Sequence, residues 1–335
     1  MQGWRKRMED AHISDISVGP NNQFHVFGVF DGHGGKEVSQ YVKKHYTTMF
    51  LNQQNFKSGN IKSSLTESFL KIDDLLVEPE GKTELKKYAK MSKEEVEKRD
   101  AKEKNKQMDL FKQLFDHKNQ EDTDVAMMTG CTANVCCVDQ ARKKIYFANA
   151  GDSRSVMCKK GVAYPMSVDH KPEMDIEKNR IYKADGWVSE GRVKGKFYLI
   201  SKKIIFIIYH FSYNLTYILT FILSFILLGN LNLSRSLGDL EYKQNKKLGP
   251  EEQMITANPD VVEEDLTKDI NFVVLACDGI WDCMTNQECC DFISERLKKD
   301  PQYKLSKIVE EMFDSIIAPD IYSGNFIYFF NFFSF

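Results

Sequence analysis

Three short apolar runs in this chain end in the same chemistry, which limits what it can fold into more than any other feature. Phe24-His-Val-Phe-Gly-Val-Phe30 runs into Asp31-Gly32-His33-Gly34-Gly35. Lys144-Ile-Tyr-Phe-Ala-Asn-Ala150 runs into Gly151-Asp152-Ser153-Arg154, and Asn271-Phe-Val-Val-Leu-Ala-Cys277 into Asp278-Gly279-Ile280-Trp281-Asp282. Runs this short, rich in aromatic and β-branched residues, read as buried strands. A carboxylate at the end of each stands on a rigid support at the rim of a core. The neighbouring glycines let the backbone turn sharply and bring its carbonyls close. Asp-Gly is also a common turn dipeptide, so each aspartate taken singly reads as a turn residue. Three together, with Glu9-Asp10 following Arg5, would repel one another at low dielectric unless a cation joined them. Oxygen-only ligands select hard ions such as Mg2+ or Mn2+.

Composition narrows the class without naming a reaction. The 335 residues, 42% of them apolar, suffice for a sizeable core in one large domain or two modest ones. Lys and Arg total 46 against 48 Asp and Glu, a net charge of −2, which argues against a nucleic-acid partner. With 28% charged and 12% aromatic residues the chain is not of disordered composition. Eight cysteines, at 131, 136, 137, 158, 277, 283, 289 and 290, form no CxxC pair and read as buried thiols of a reducing compartment. Met1-Gln-Gly-Trp-Arg-Lys-Arg7 leads into acidic residues, so no signal peptide is expected and the location is expected to be cytoplasmic or nuclear.

Texture changes along the chain. Residues 80–124 are dominated by Lys, Glu, Asp, Asn and Gln and read as a solvated helix or mobile insert. Residues 204–228 contain no Asp, Glu, Lys or Arg and are long enough to span a bilayer. A second aromatic run, Phe326–Phe335, follows Gly324-Asn325. Gly195-Lys196-Phe197 and Gly324-Asn325-Phe326 can both be encoded with a GTAA splice-donor start, and Leu228-Gly229 with a terminal TAG acceptor. The expectation is that 196–229 and about 325–335 are translated introns. A transcript retaining codons 196–229 after splicing would refute this, and a membrane helix over 204–228 is the alternative.

Eight ordered segments resemble the signatures of the metal-dependent protein phosphatases, the protein phosphatase 2C family. They are Gln2-Gly-Trp-Arg-Lys-Arg-Met-Glu-Asp-Ala-His12, Val29-Phe-Asp-Gly-His-Gly-Gly35, Gly130-Cys-Thr-Ala-Asn134 and Ala148-Asn-Ala-Gly-Asp-Ser-Arg154, followed by Asp169-His-Lys-Pro172, Gly191-Arg-Val193, Leu233-Ser-Arg-Ser-Leu-Gly-Asp239 and Ala276-Cys-Asp-Gly-Ile-Trp-Asp282. The resemblance implies an α+β fold, a central antiparallel β-sandwich flanked by helices on both faces, truncated here at both ends. It implies one catalytic domain over 1–324, carrying the charged insert 80–124 and the apolar insertion 196–229, and a tail 325–335 foreign to the family. Helical stripes agree: Val38, Tyr41, Val42 and His45; Ile61, Leu65, Phe69, Ile72 and Leu76; and Ile308, Met312 and Ile316.

The resemblance also implies an activity, metal-dependent hydrolysis of phosphoserine and phosphothreonine in proteins. Two Mg2+ or Mn2+ ions with a bridging water would act together, and a weaker third ion is possible by analogy. Asp31 would bridge both metals, the Gly32 carbonyl and Asp278 would complete individual shells, and Glu9 and Asp10 would act through water. Asp152 and Asp282 would help hold the third ion. Arg5 would bind the substrate phosphate through its planar fork of donors, and His33 would protonate the departing oxygen. Arg154, Arg235, Asp239 and the Asp169-His170 pair read as structural ion pairs and turn supports. His12, His25, His45, His117 and His210 show no ligand spacing.

Excising 196–229 restores the short family spacing between Gly191-Arg-Val193 and Leu233-Ser-Arg-Ser-Leu-Gly-Asp239. Two truncations depart from the family pattern. An earlier strand is expected ahead of Met1-Gln-Gly-Trp4. An Asp-Asn segment carrying a further metal ligand is expected after Ala318-Pro-Asp-Ile-Tyr-Ser-Gly324, and the tail has no carboxylate side chain. The chain 1–335 is therefore expected to turn over weakly, as a monomer acting on phosphoprotein substrates. A form without 196–229 and with the C-terminal segment restored is expected to hydrolyse p-nitrophenyl phosphate with Mn2+. A catalytically impaired binding module and a membrane-anchored phosphatase are the alternatives.

Overall fold

Alternation along two antiparallel sheets sorts the apolar side chains into layers. The computed structural model describes residues 7–100, 124–194, 231–317 and 330–334. Arg5, the run 196–229, residues 101–123 and the tail from 325 to 329 therefore lie outside the described residues, and with them the expectations placed there. The chain divides into two compact units, one of Met1–Asp169, Ser236–Glu241 and Ala257–Phe335, the other of His170–Arg235 and Tyr242–Thr256.

In the first unit, Ala11–Val18 (β1), Phe24–Phe30 (β2), Ala133–Asp139 (β5), Lys144–Ala150 (β6) and Asp260–Asp265 (β12) form a sheet in the order β1-β2-β5-β6-β12. Arg154–Lys159 (β7), Val162–Pro165 (β8), Ile270–Ala276 (β13) and Phe330–Ser334 (β14) form another, in the order β14-β13-β7-β8. All pairings in both sheets are antiparallel. Phe27 and Val29 of β2, Cys136 and Val138 of β5 and Ile145 and Phe147 of β6 pack against Met157, Val273 and Leu275, filling the space between the sheets.

The alternate residues point outward and are covered by helices, as a period of two requires. Val26, Phe30, Val135, Cys137 and Ala148 meet Glu37–Asn52 (α1) and Ile61–Val77 (α3), whose buried stripes hold Val38, Val42, Leu65, Phe69, Ile72 and Leu76. Val156, Cys158, Phe272 and Val274 meet Asn286–Lys299 (α8) and Leu305–Ile316 (α9) through Cys290, Ile293, Ile308 and Met312. A capping box between Thr285 and Glu288 starts α8. The predicted stripes are buried except that His45 and Ile316 are only partly covered.

Further helices and strands complete this unit: Gln54–Lys57 (α2), Pro79–Asp100 (α4), Val125–Met128 (α5), Asp278–Trp281 (α7), and a small sheet of Gly32–His33 (β3), Gly130–Cys131 (β4) and Leu237–Gly238 (β11). The charged insert thus begins as α4, which packs against α1 and α3 with Leu85 fully buried. Glu84 accepts from Lys44 at 2.6 Å, His45 at 2.8 Å and Tyr88 at 2.8 Å, and Lys36 meets Glu95 at 2.5 Å. Where the sequence pointed to a foreign tail, the backbone of β14 pairs with β13 from Phe272–Ser334 to Ala276–Phe330. An aromatic-rich segment has the propensity to cover an otherwise open sheet edge.

The second unit holds Asp175–Lys183 (α6) and a hairpin of Trp187–Ser189 (β9) and Arg192–Lys194 (β10) around Ile181, Val193, Leu231 and Ile255. Among the described residues no helix is long and apolar enough to cross a membrane.

Candidate metal centre

The strand ends deliver their carboxylates to one place in the first unit. Asp31 follows β2 and is 9% exposed, Asp152 follows β6 at 2%, and Asp10, just before β1, is at 3%. Asp278 opens α7 at the end of β13 and is half-buried. Burial pushes the Asp31 carboxyl well above the ordinary carboxylate range, and the charges of Asp10, Asp278 and Asp152 push it further the same way. Among those charges, Asp10 has the largest effect on Asp31. The four donors are all hard oxygens, the set that suits Mg2+ or Mn2+. Among the described residues no group of three His, Cys, Asp or Glu side chains forms a closed coordination sphere. The hard-oxygen donors nonetheless fit small divalent cations that keep much of their own water, and a cation would relieve the opposed charges around Asp31.

Close backbone approach explains the glycines. A Cβ on Gly32 would lie 2.1 Å from the Glu9 carbonyl oxygen and 3.0 Å from Ser39 Oγ. The Ser39 hydroxyl in turn donates to Glu9 O, so the Glu9-Asp10 segment is clamped onto Gly32 and the first turn of α1. At Gly34, with φ +70°, a Cβ would meet Met128 O at 2.4 Å.

His33 sits at the edge of the cluster with 24% of its side chain exposed. Its Nε2 lies 2.6 Å from Asp239 Oδ2. Burial alone would lower the imidazole pKa, but Asp239, then Asp152 and Glu9, outweigh it and hold it above the ordinary value. Asp239 is 2% exposed, accepts from Ser236 Oγ at 2.5 Å, and follows Gly238 in a turn where both residues have positive φ.

Of the predicted site residues, Asp10, Asp152 and Asp278 act electrostatically on Asp31, and Glu9 and Asp152 act on His33. Asp282 is exposed and is not among the charges that move Asp31. It lines a cleft of about 570 Å³ together with Arg154, Trp281, Asn286 and Glu288. Arg154 holds Asp169 through two bonds of 2.9 and 2.7 Å and lies over the Trp281 ring, as a structural ion pair should. Arg235 pairs with Glu177, again structurally. Asp239, read from the sequence as a turn support, is the partner of His33. No spacing rule could have matched two residues 206 positions apart, although the Gly-Asp turn was visible.

A family model described as Protein phosphatase 2C matches residues 1–84 and 77–322. "Probable protein phosphatase 2C 3" of Paramecium tetraurelia is 39% identical over 326 residues, covering 97% of this chain and 86% of that protein. "Protein phosphatase 2C 1" of the same organism is 37% identical over 326 residues, with the same shares. A crystal structure of a phosphatase from Toxoplasma gondii superposes with a TM-score of 0.59 at 19% identity, covering 95% of this chain and 86% of that one. At that identity the superposition speaks for the fold.

Proposed function

This chain belongs to the protein phosphatase 2C family of protein-serine/threonine phosphatases, and on that premise we propose that Asp31 and Asp278, with Asp10 acting through water, hold a binuclear Mg2+ or Mn2+ centre that hydrolyses phosphoserine and phosphothreonine in proteins. The observation that carries this reading is the buried Asp31 carboxyl, surrounded by three further aspartates whose charges oppose its ionisation. When bound, such ions supply a water acidic enough to attack at neutral pH and neutralise charge on the phosphoryl oxygens.

The chain's own groups supply the remainder. Glu9, clamped through its carbonyl by Ser39, stands beside the cluster to orient water, and the Gly32 carbonyl adds a neutral oxygen ligand. Asp282 at the rim would join Asp152 at a weaker third position. With Nε2 of His33 held by Asp239, the proton available to the departing serine or threonine oxygen is the one on Nδ1. Asp239 both fixes the ring and favours its charged form. Arg5 would grip the phosphate through its planar donors. The eight cysteines are thiols, seven of them buried, which supports a reducing location such as the cytoplasm or nucleus.

The test is phosphate release from phosphoserine and phosphothreonine peptides with added Mn2+. Release should stop with a chelator and fall roughly 100-fold or more in Asp31→Asn and Asp278→Asn. Release that survives chelation and both substitutions would refute the reading.

A further inference from the structure

Two of the signature segments carry buried hydroxyls that the chemistry above leaves without a task. Thr132 Oγ1 accepts the Asp31 N–H at 3.1 Å, and the Thr132 N–H returns to Asp31 O at 2.9 Å, so the residue after β4 clasps the Asp31 backbone from both sides. Thr132 Oγ1 lies 2.7 Å from Ser153 Oγ. Thr132 is 1% exposed and Ser153 is fully buried.

The two hydroxyls belong to different strand ends. Thr132 holds the end of β2, and Ser153 directly follows Asp152 at the end of β6. We propose that the Thr132–Ser153 pair is a positioning element that sets the spacing of Asp31 and Asp152. The inference rests on the metal-dependent reading above and assigns these residues no contact with substrate.

The physical need is plain. Carboxylates that repel one another splay apart when nothing joins them, and a site performs only if its ligands are held within about 0.5 Å of the working geometry. Buried hydrogen bonds beneath the ligands resist that splaying, and partners of this kind change metal affinity by about 10–100-fold when removed. A buried hydroxyl with no such role would cost about 1 kcal/mol of stability and leave metal affinity alone.

The experiment is calorimetric titration of Mn2+ into the full chain and into Ser153→Ala, Thr132→Val and Thr132→Ser, with melting of each metal-free protein alongside. Ser153→Ala and Thr132→Val should raise the Mn2+ Kd about 10-fold or more, while Thr132→Ser, which keeps the hydroxyl, stays within about threefold of the parent. Should Ser153→Ala not fold, the contrast between Val and Ser at position 132 carries the test. Folded Ser153→Ala or Thr132→Val with the parental Kd overturns the proposal, including the case where only melting temperature falls. A parent chain that takes up no Mn2+ brings down the metal-dependent reading itself, a result distinct from variants that bind as the parent does.

Discussion

Glu177 shows how much one side chain can organise. It is 1% exposed, yet it accepts from Arg180 at 2.6 Å, Arg235 at 2.7 and 3.0 Å and Ser234 at 2.5 Å. Burial alone would raise its pKa, but Arg235 and Arg180 reverse that and hold it at about 2 against an ordinary 4.5. The folded protein therefore binds this proton less readily than the unfolded chain. The stabilisation is present above about pH 4.5 and is lost as pH falls toward 2, on the order of 3 kcal/mol in all. Glu177→Gln removes this dependence and leaves two guanidinium groups without their carboxylate, at a cost of about 3–5 kcal/mol at neutral pH. Urea unfolding followed by circular dichroism should show parent and variant far apart at pH 7 and converging near pH 3. Curves that stay parallel across that range would rule out the ion pair as the cause.

At the scale of elements, the described residues on either side of the long apolar run meet. Val193 N–H donates to Leu231 O at 2.9 Å, and the two residues form an antiparallel bridge beside the β9–β10 hairpin. Excising 196–229 would leave Lys194, Gly195 and Asn230 between those bridged partners, the length of a three-residue hairpin loop with a glycine available for its left-handed position. Shortening the connection between Val193 and Leu231 to three residues relieves roughly 2 kcal/mol of closure entropy. The excised protein should fold with unchanged secondary structure and melt no lower than the parent, and a drop of 10 °C or more in a thermal melt would contradict this.

The same scale shows what the sequence made legible. Strands β2, β6 and β13 and their terminal aspartates could be read because a period of two and an abrupt Asp-Gly or Gly-Asp boundary are local signals. The stripes on α1, α3 and α9 were legible for the same reason. The His33–Asp239 contact and the clasp of Asp31 by Thr132 were not, because they join residues 206 and 101 positions apart and arise only when sheets stack. The docking of α4 was hidden by its composition: one buried Leu85 and a carboxylate shared by Lys44, His45 and Tyr88 anchor a helix that otherwise reads as solvated.

For the molecule as a whole, near-neutral charge conceals a local imbalance. The chain carries −2 in total, yet four aspartates converge where two sheets end, and the fold holds them against their repulsion. An ion that binds only the folded state adds RT ln(1 + [L]/Kd), about 2.7 kcal/mol at a hundredfold excess over Kd. That corresponds to a rise in melting temperature of about 5 °C for a chain of this size. Asp31→Asn should behave oppositely in the two states. Without metal it removes a buried carboxyl whose ionisation three neighbouring aspartates oppose, and it should melt higher than the parent, by about 0.5–2 kcal/mol of added stability. With Mn2+ it should gain little, because the central oxygen ligand has gone. Differential scanning fluorimetry with and without Mn2+ reads both effects at once. Asp31→Asn that melts lower than the parent without metal, or that gains the same increment from Mn2+, would mean that these carboxylates are held for packing and not for a cation.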